Sequence, residues 1–240
     1  MDERSRHRMF EDQFLQALRA RALVLTRGKL PADDVEVEAT PEGFDALRAE
    51  LARMEVYDRD VIDSLPGAHS VQLRFTRRAL GGLLRSTVSR LRARVLVPVA
   101  ELVNEQTPGP IGREQVLDAL AQYQVLPKNQ RPTGVVLASA TGFSEEARRL
   151  VESVNGPTLV LMGGRADGGW DVSMPERLKK TPWARLFELE TQDDRLKRLM
   201  YHLDQSKSLI DSRGVSIAEL SEKLGIPAVA TEALVRRACR

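Results

Sequence analysis

The 240-residue chain has one cysteine, three histidines and seven lysines. A single thiol, Cys239, excludes a disulfide framework within the monomer and any cysteine-based zinc site. His7, His69 and His202 have no metal-ligand spacing among them, so neither a metal nor another cofactor is expected. The longest apolar stretches fall short of ten residues, too short to span a bilayer, which excludes membrane insertion. Met1 to Arg8 carries charge without a following apolar region, so no signal peptide is read and a cytoplasmic location is expected. There is no Gly-x-Ser-x-Gly elbow, and Gly163-Gly164 and Gly168-Gly169 form neither a dinucleotide fingerprint nor a phosphate loop. No residue set is therefore assigned as catalytic.

Charge of one sign is also missing overall, since 36 basic and 34 acidic residues leave a net of +2. The chain as a whole is no polycation. Its charges are segregated, however. Asp33 to Asp63 holds 11 acidic and three basic residues, whereas Ser64 to Ala100 holds seven arginines and no carboxylate. One reading packs the two segments side by side so that they neutralise each other; the other turns the arginine face toward a polyanion.

Hydrophobic spacing organises the rest. Phe10, Phe14, Leu15, Leu18, Ala22 and Leu25 predict a helix over 9–25. Thr40-Pro41-Glu42 opens a second helix to Met54, and Val35 to Glu38 alternates as a short edge strand. Val71 to Phe75 reads as a strand. The stretch 76–94 reads as a cationic amphipathic helix, with Leu80, Leu84, Thr87, Val88 and Leu91 on one face and Arg78, Arg85 and Arg92 seven apart on another. Its apolar face has no Trp or Phe, unlike a membrane-surface helix. Beyond it, the apolar runs Val95–Val99, Gly134–Ala138 and Thr158–Met162 alternate with helices at 113–123 and 144–154, a pattern of parallel strands with crossover helices.

The block from Arg131 to Val151 places Thr141, Phe143, Ser144, Glu145 or Glu146, and Ala147 between two apolar strands. With the flanking helix and the strand at 158–163, it resembles the second half of Mrr-like restriction endonucleases. That resemblance covers residues 113–163 and implies a metal-dependent nuclease fold, whose chemistry needs an acidic residue two positions before a lysine. The residues preceding the seven lysines by two are Arg27, Leu126, Arg177, Leu178, Arg195, Gln205 and Ser221, and none is acidic. The strand that should carry the motif, Arg94 to Val99, leads to Glu101 and Glu105 without a lysine. Ser139, Thr141 and Ser144 cluster at a strand end where anions bind in α/β sheets, but Glu145 and Glu146 already answer the helix dipole there, so capping is their expected role.

At the C-terminus, Ser216-Ile-Ala-Glu219 is a capping box, and Ile217 to Ile226 is similar to the first helix and turn of helix-turn-helix domains. The next helix opens with Pro227-Ala-Val-Ala230, which cannot make bidentate base contacts, and its Arg236 and Arg237 lie at the far end.

The expected architecture is α/β, a small central sheet flanked by helices with a C-terminal helix-turn-helix-like helical domain. The expected divisions are a helical region over 1–70, an α/β core with the cationic helix over 71–165, a linker over 166–190 and the helical domain over 191–240. The expected function is a non-enzymatic nucleic-acid-associated protein, an accessory subunit of a DNA-processing or defence system. It would contact DNA or another polyanion through Arg74, Arg77, Arg78, Arg85, Arg90, Arg92, Arg94, Arg236 and Arg237. Two alternatives stand beside it: a scaffold subunit with a protein partner or a homo-oligomeric assembly, and a divergent metal-dependent nuclease.

Overall fold

A computed structural model describes all residues except 1, 27, 41–43, 55–57, 68, 80–83, 166–168, 190–191, 206–213, 225–227 and 240. The chain divides into two compact units, Met1–Arg165 with Trp170–Leu189, and Ala166–Gly169 with Glu190–Arg240.

The first unit is built on a six-stranded mixed sheet in sequential order β1 to β6. Strands β1 (Asp34–Thr40), β2 (Ser70–Ala79) and β3 (Leu84–Val95) form an antiparallel meander. Strands β4 (Gly134–Ser139) and β5 (Thr158–Gly164) continue it in parallel, and the short β6 (Trp170–Ser173) closes the edge antiparallel to β5. Parallel pairing requires crossovers. α5 (Arg113–Gln124) links β3 to β4 and α6 (Glu145–Ser153) links β4 to β5. The remaining helices of this unit are α1 (Glu3–Leu25), α2 (Phe44–Met54), α3 (Arg59–Ser64), α4 (Val99–Val103), α7 (Glu176–Lys179) and a 3-10 helix, Pro182–Phe187.

Side-chain alternation sorts the sheet into two layers of core. Along β4, Val136 and Ala138 join Leu73, Phe75, Leu91, Ala93, Val95 and Met162 beneath α1 and the 3-10 helix. Val135 and Leu137 point the other way and meet Leu159, Leu161 and the inner faces of α5 and α6. Both faces of β4 are thus covered, which is why its sequence is a continuous apolar run. Helix α1 starts at Asp2, whose carboxylate accepts from the Ser5 amide at 2.7 Å. It presents Phe14, Leu18, Ala22 and Leu25 to the sheet. Helix α6 starts at Ser144, whose hydroxyl accepts from the Ala147 amide at 3.2 Å.

Three expectations are corrected. Residues 76–94 form no helix: they belong to β2 and β3, with 80–83 outside the described residues. The helical reading rested on Leu84 and Val88, which are exposed, whereas Leu91, Ala93 and Val95 are buried at strand spacing. Arg90, Arg92 and Arg94 alternate with them, and the pairing offered by β2 and β4 favours period two over period 3.5. Within the expected linker, 170–189 belong to the sheet unit, because β6 pairs with β5 and Leu186, Phe187 and Leu189 are buried against the sheet. Residues 1–70 are no separate helical region either, since α1 packs on the sheet and β1 is one of its strands.

In the second unit, α8 (Gln192–Gln205), α9 (Ile217–Leu224) and α10 (Ala228–Ala238) share a core of Leu199, Leu220, Leu224 and Leu234. The capping box forms: the Glu219 amide donates to the Ser216 hydroxyl at 3.2 Å, and Glu219 accepts from the Ser216 amide at 3.0 Å. The sequence-predicted turn at Gly225 and the opening Pro227 lie outside the described residues. Among the described residues no helix is long and apolar enough to cross a membrane.

Candidate nucleic-acid interface

The alternation that buries Leu91, Ala93 and Val95 turns Arg90, Arg92 and Arg94 to the opposite face of β3. On β2 the same rule places Gln72 and Arg74 there, and on β1 it places Asp34, Glu36 and Glu38. Register then sets cross-strand rows, Glu36 beside Arg74 beside Arg90, and Glu38 beside Gln72 beside Arg92. Glu36 and Glu38 are exposed and Arg74, Arg90, Arg92 and Arg94 half-buried, so this face of the meander is polar and reaches solvent.

The acidic and basic segments therefore meet edge to edge. Arg74 Nε lies 3.4 Å from Glu36 Oε2. Past a bulge at Phe75/Thr76, the hairpin continues with Arg78 opposite Arg85. Arg78 lies 3.9 Å from Asp34, and Arg85 lies 3.9 Å from both Asp34 and Glu36. These pairs are about half exposed and of the kind worth roughly 0–1 kcal/mol each. Their main consequence is local neutralisation.

The β3 row also meets neutral groups. Arg90 donates through Nη1 to the Asn129 carbonyl, while its own amide donates to Thr133 Oγ1 at 3.0 Å. Arg92 lies 5.7 Å from the centre of the Tyr123 ring and donates to Gln72 Oε1 at 3.4 Å. Arg94 donates to Gln122 Oε1 at 2.7 Å. Carbonyl and amide partners orient the Arg90 and Arg94 guanidinium groups without cancelling their charge.

Of the other expected contacts, Arg77 lies exposed on the hairpin beyond the β1 pairing, opposite Ser86. Arg236 and Arg237 belong to the second unit, on the exposed side of α10, where Arg236 pairs with Glu232 at 2.7 Å. The seven hairpin arginines are thus gathered on β2 and β3, and six of them, all but Arg77, fall into two settings that sequence spacing did not distinguish. Asn129, Gln122 and Tyr123, which position the β3 row, carry no signal in sequence because the α5 crossover brings them there.

At the carboxyl end of β4, the Ser139 and Thr141 hydroxyls bond each other at 3.1 Å, and Ser144 caps α6. Trp170 of β6 tilts against Phe10 and Phe14, and Trp183 of the 3-10 helix stands edge-on to Phe75, so both pack against the core. Among the described residues no group of three or more His, Cys, Asp or Glu is placed to hold a metal ion.

One polar cluster was not anticipated. Glu11, buried on α1, accepts from the His69 backbone amide at 2.6 Å and lies 2.9 Å from His69 Nδ1. One turn earlier, His7 is fully buried, and neither ring nitrogen has a hydrogen-bond partner among the described residues. Burial pushes the His7 imidazole below its ordinary pKa of 6.5, opposed by Glu3 and reinforced by Arg6. The signal in sequence was the spacing, since His7 and Glu11 extend the buried stripe of Phe14, Leu18 and Ala22. Comparison with protein-family models, curated proteins and solved structures returns no match to this chain.

Proposed function

We propose that this chain is a non-enzymatic nucleic-acid-associated protein, an accessory subunit of a DNA-processing or defence system, that contacts phosphates through the arginine face of β2 and β3. The observation that carries this reading is the row Arg90, Arg92 and Arg94. It repeats every second residue, roughly 6.6 Å apart along a strand, on a face that reaches solvent, and Asn129, Tyr123 and Gln122 help to orient it. Contacts of this kind position a protein on the nucleic-acid backbone without reading sequence. The resemblance of the second unit to helix-turn-helix domains fits a docking or oligomerisation role better than base readout, because α10 opens with Ala228, Val229 and Ala230. The Mrr-like resemblance of 113–163 is taken as one of fold without the nuclease motif.

A labelled 20-base-pair duplex, titrated at low ionic strength and followed by anisotropy, tests the reading. Binding should weaken with salt at a slope set by the phosphates contacted, and Arg90→Glu, Arg92→Glu and Arg94→Glu combined should lower affinity by roughly tenfold or more. Absence of salt-dependent binding to duplex or single-stranded DNA would overturn it. The pairing of Arg74, Arg78 and Arg85 with Asp34 and Glu36 favours a second reading, a scaffold with a protein partner. In that case the triple variant would lose a partner complex and leave DNA binding unchanged. Cleavage of the duplex with magnesium or manganese would instead indicate a nuclease.

A further inference from the structure

A second feature of the first unit arises from a missing side chain. Gly134 opens β4 in register between Leu91 on β3 and Thr158 on β5. A Cβ at this position would lie 2.9 Å from Leu91 Cδ1, and its neighbour Val135 faces the opposite core. The Leu91 side chain takes the place a side chain at Gly134 would have, and beside it the inner face of the sheet holds a cavity. The space, about 160 Å³, is walled by Phe75, Val160, Leu178, Trp183 and Phe187 and is partly open to solvent. Its cover is the α7 and 3-10 segment, with Trp183 held edge-on to Phe75 at 4.9 Å between centroids.

We propose that this cavity binds a small, neutral, phenol-sized ring compound carrying one hydrogen-bond donor. Size sets the first term, since a largely apolar space near 150 Å³ admits a single benzene-sized molecule. Charge sets the second: no charged side chain lines the cavity. Ser89, Thr133 and Thr158 bring hydroxyls to its lining, and the donor follows from the protons of the first two. Thr133 Oγ1 donates to the Arg90 carbonyl at 2.9 Å and accepts from the Arg90 amide at 3.0 Å. The hydroxyl proton of Thr133 is thereby used. In the 2.8 Å contact between Ser89 Oγ and Thr133 Oγ1, Ser89 must donate. Ser89 Oγ keeps acceptor capacity at the cavity edge, which an O–H or N–H of the ligand completes.

The test titrates 4-methylphenol, toluene and benzoate into the full chain, read by calorimetry and tryptophan fluorescence. 4-Methylphenol and toluene should saturate at one site, with 4-methylphenol tighter by roughly threefold to tenfold, the worth of one net hydrogen bond, while benzoate should not bind. Gly134→Val fills the space and should abolish binding in a chain shown folded by circular dichroism. Ser89→Ala, a mild exposed-edge change, should equalise 4-methylphenol and toluene without losing either. No saturable signal from the unmodified chain up to the solubility limit overturns the proposal, as does unchanged affinity in folded Gly134→Val. This outcome is independent of DNA binding, which uses the opposite face of the sheet.

Discussion

The two halves of one sheet are solved differently. Strands β4 and β5 lie between helices on both faces, and every residue of β4 is buried. Strands β1 and β2 have α1 on one face and, on the other, a lattice of charged side chains open to water. The first half draws its stability from apolar burial, about 1.5–3 kcal/mol for each fully buried Val or Leu. The second has that term on one face only, and its other face is left available for contacts. The contrast separates residues buried on both faces from residues with one face toward solvent.

Four changes sharpen or break that contrast. Leu137→Ala, in the doubly covered half, should destabilise the first unit by about 2–5 kcal/mol, measured by denaturant unfolding; a loss near zero would mean the α5 and α6 layer is not a packed core. His7→Leu removes a buried imidazole without a partner, a group costing about 1–3 kcal/mol. Because folding holds His7 below its unfolded pKa, the unfolded chain binds the extra proton. Stability is therefore fully present above about pH 6.5 and falls as the pH drops, and His7→Leu should flatten the melting temperature between pH 8 and pH 5.5. Ser144→Ala should cost about 1 kcal/mol through loss of the α6 cap, detectable as a lower unfolding midpoint with unchanged slope. Smallest of all, Glu36→Gln on the bare face should shift stability by less than about 0.5 kcal/mol. It also frees Arg74 and Arg85 of a carboxylate, so duplex affinity should rise and its salt slope steepen. If Glu36→Gln instead unfolds the chain, the charged face is structural and the comparison fails.

Much of the doubly covered half was readable. Gly134–Ala138 and Thr158–Met162 are runs that only a strand buried on both faces tolerates, and Ser144 followed by Glu145 and Glu146 marks a helix start. The meander was harder to read. Residues 78–94 satisfy both periods, since Arg78, Arg85 and Arg92 recur at seven while Arg90, Arg92 and Arg94 recur at two. A hairpin strand is stabilised by partners far along the chain, β1 and β4, which a local window does not contain. The same limit hid the role of 175–189: Trp183, Leu186 and Phe187 are too sparse to show periodicity, yet each finds a place on the sheet.

The sequence by itself determined that this chain lacks a disulfide framework, a lysine-based nuclease motif and a membrane-spanning helix, and that its acids and arginines lie in consecutive blocks. Those are properties of composition and spacing. Only the tertiary structure decided what the blocks do to each other. Strand pairing carries Asp34 and Glu36 to Arg74, Arg78 and Arg85, while the α5 crossover brings neutral Gln122, Tyr123 and Asn129 to Arg90, Arg92 and Arg94. Electrostatic interaction falls with distance through space rather than along the chain. Arginines that look equivalent in sequence therefore divide into Arg74, Arg78 and Arg85, which meet carboxylates, and Arg90, Arg92 and Arg94, which meet neutral groups, with Arg77 in neither set.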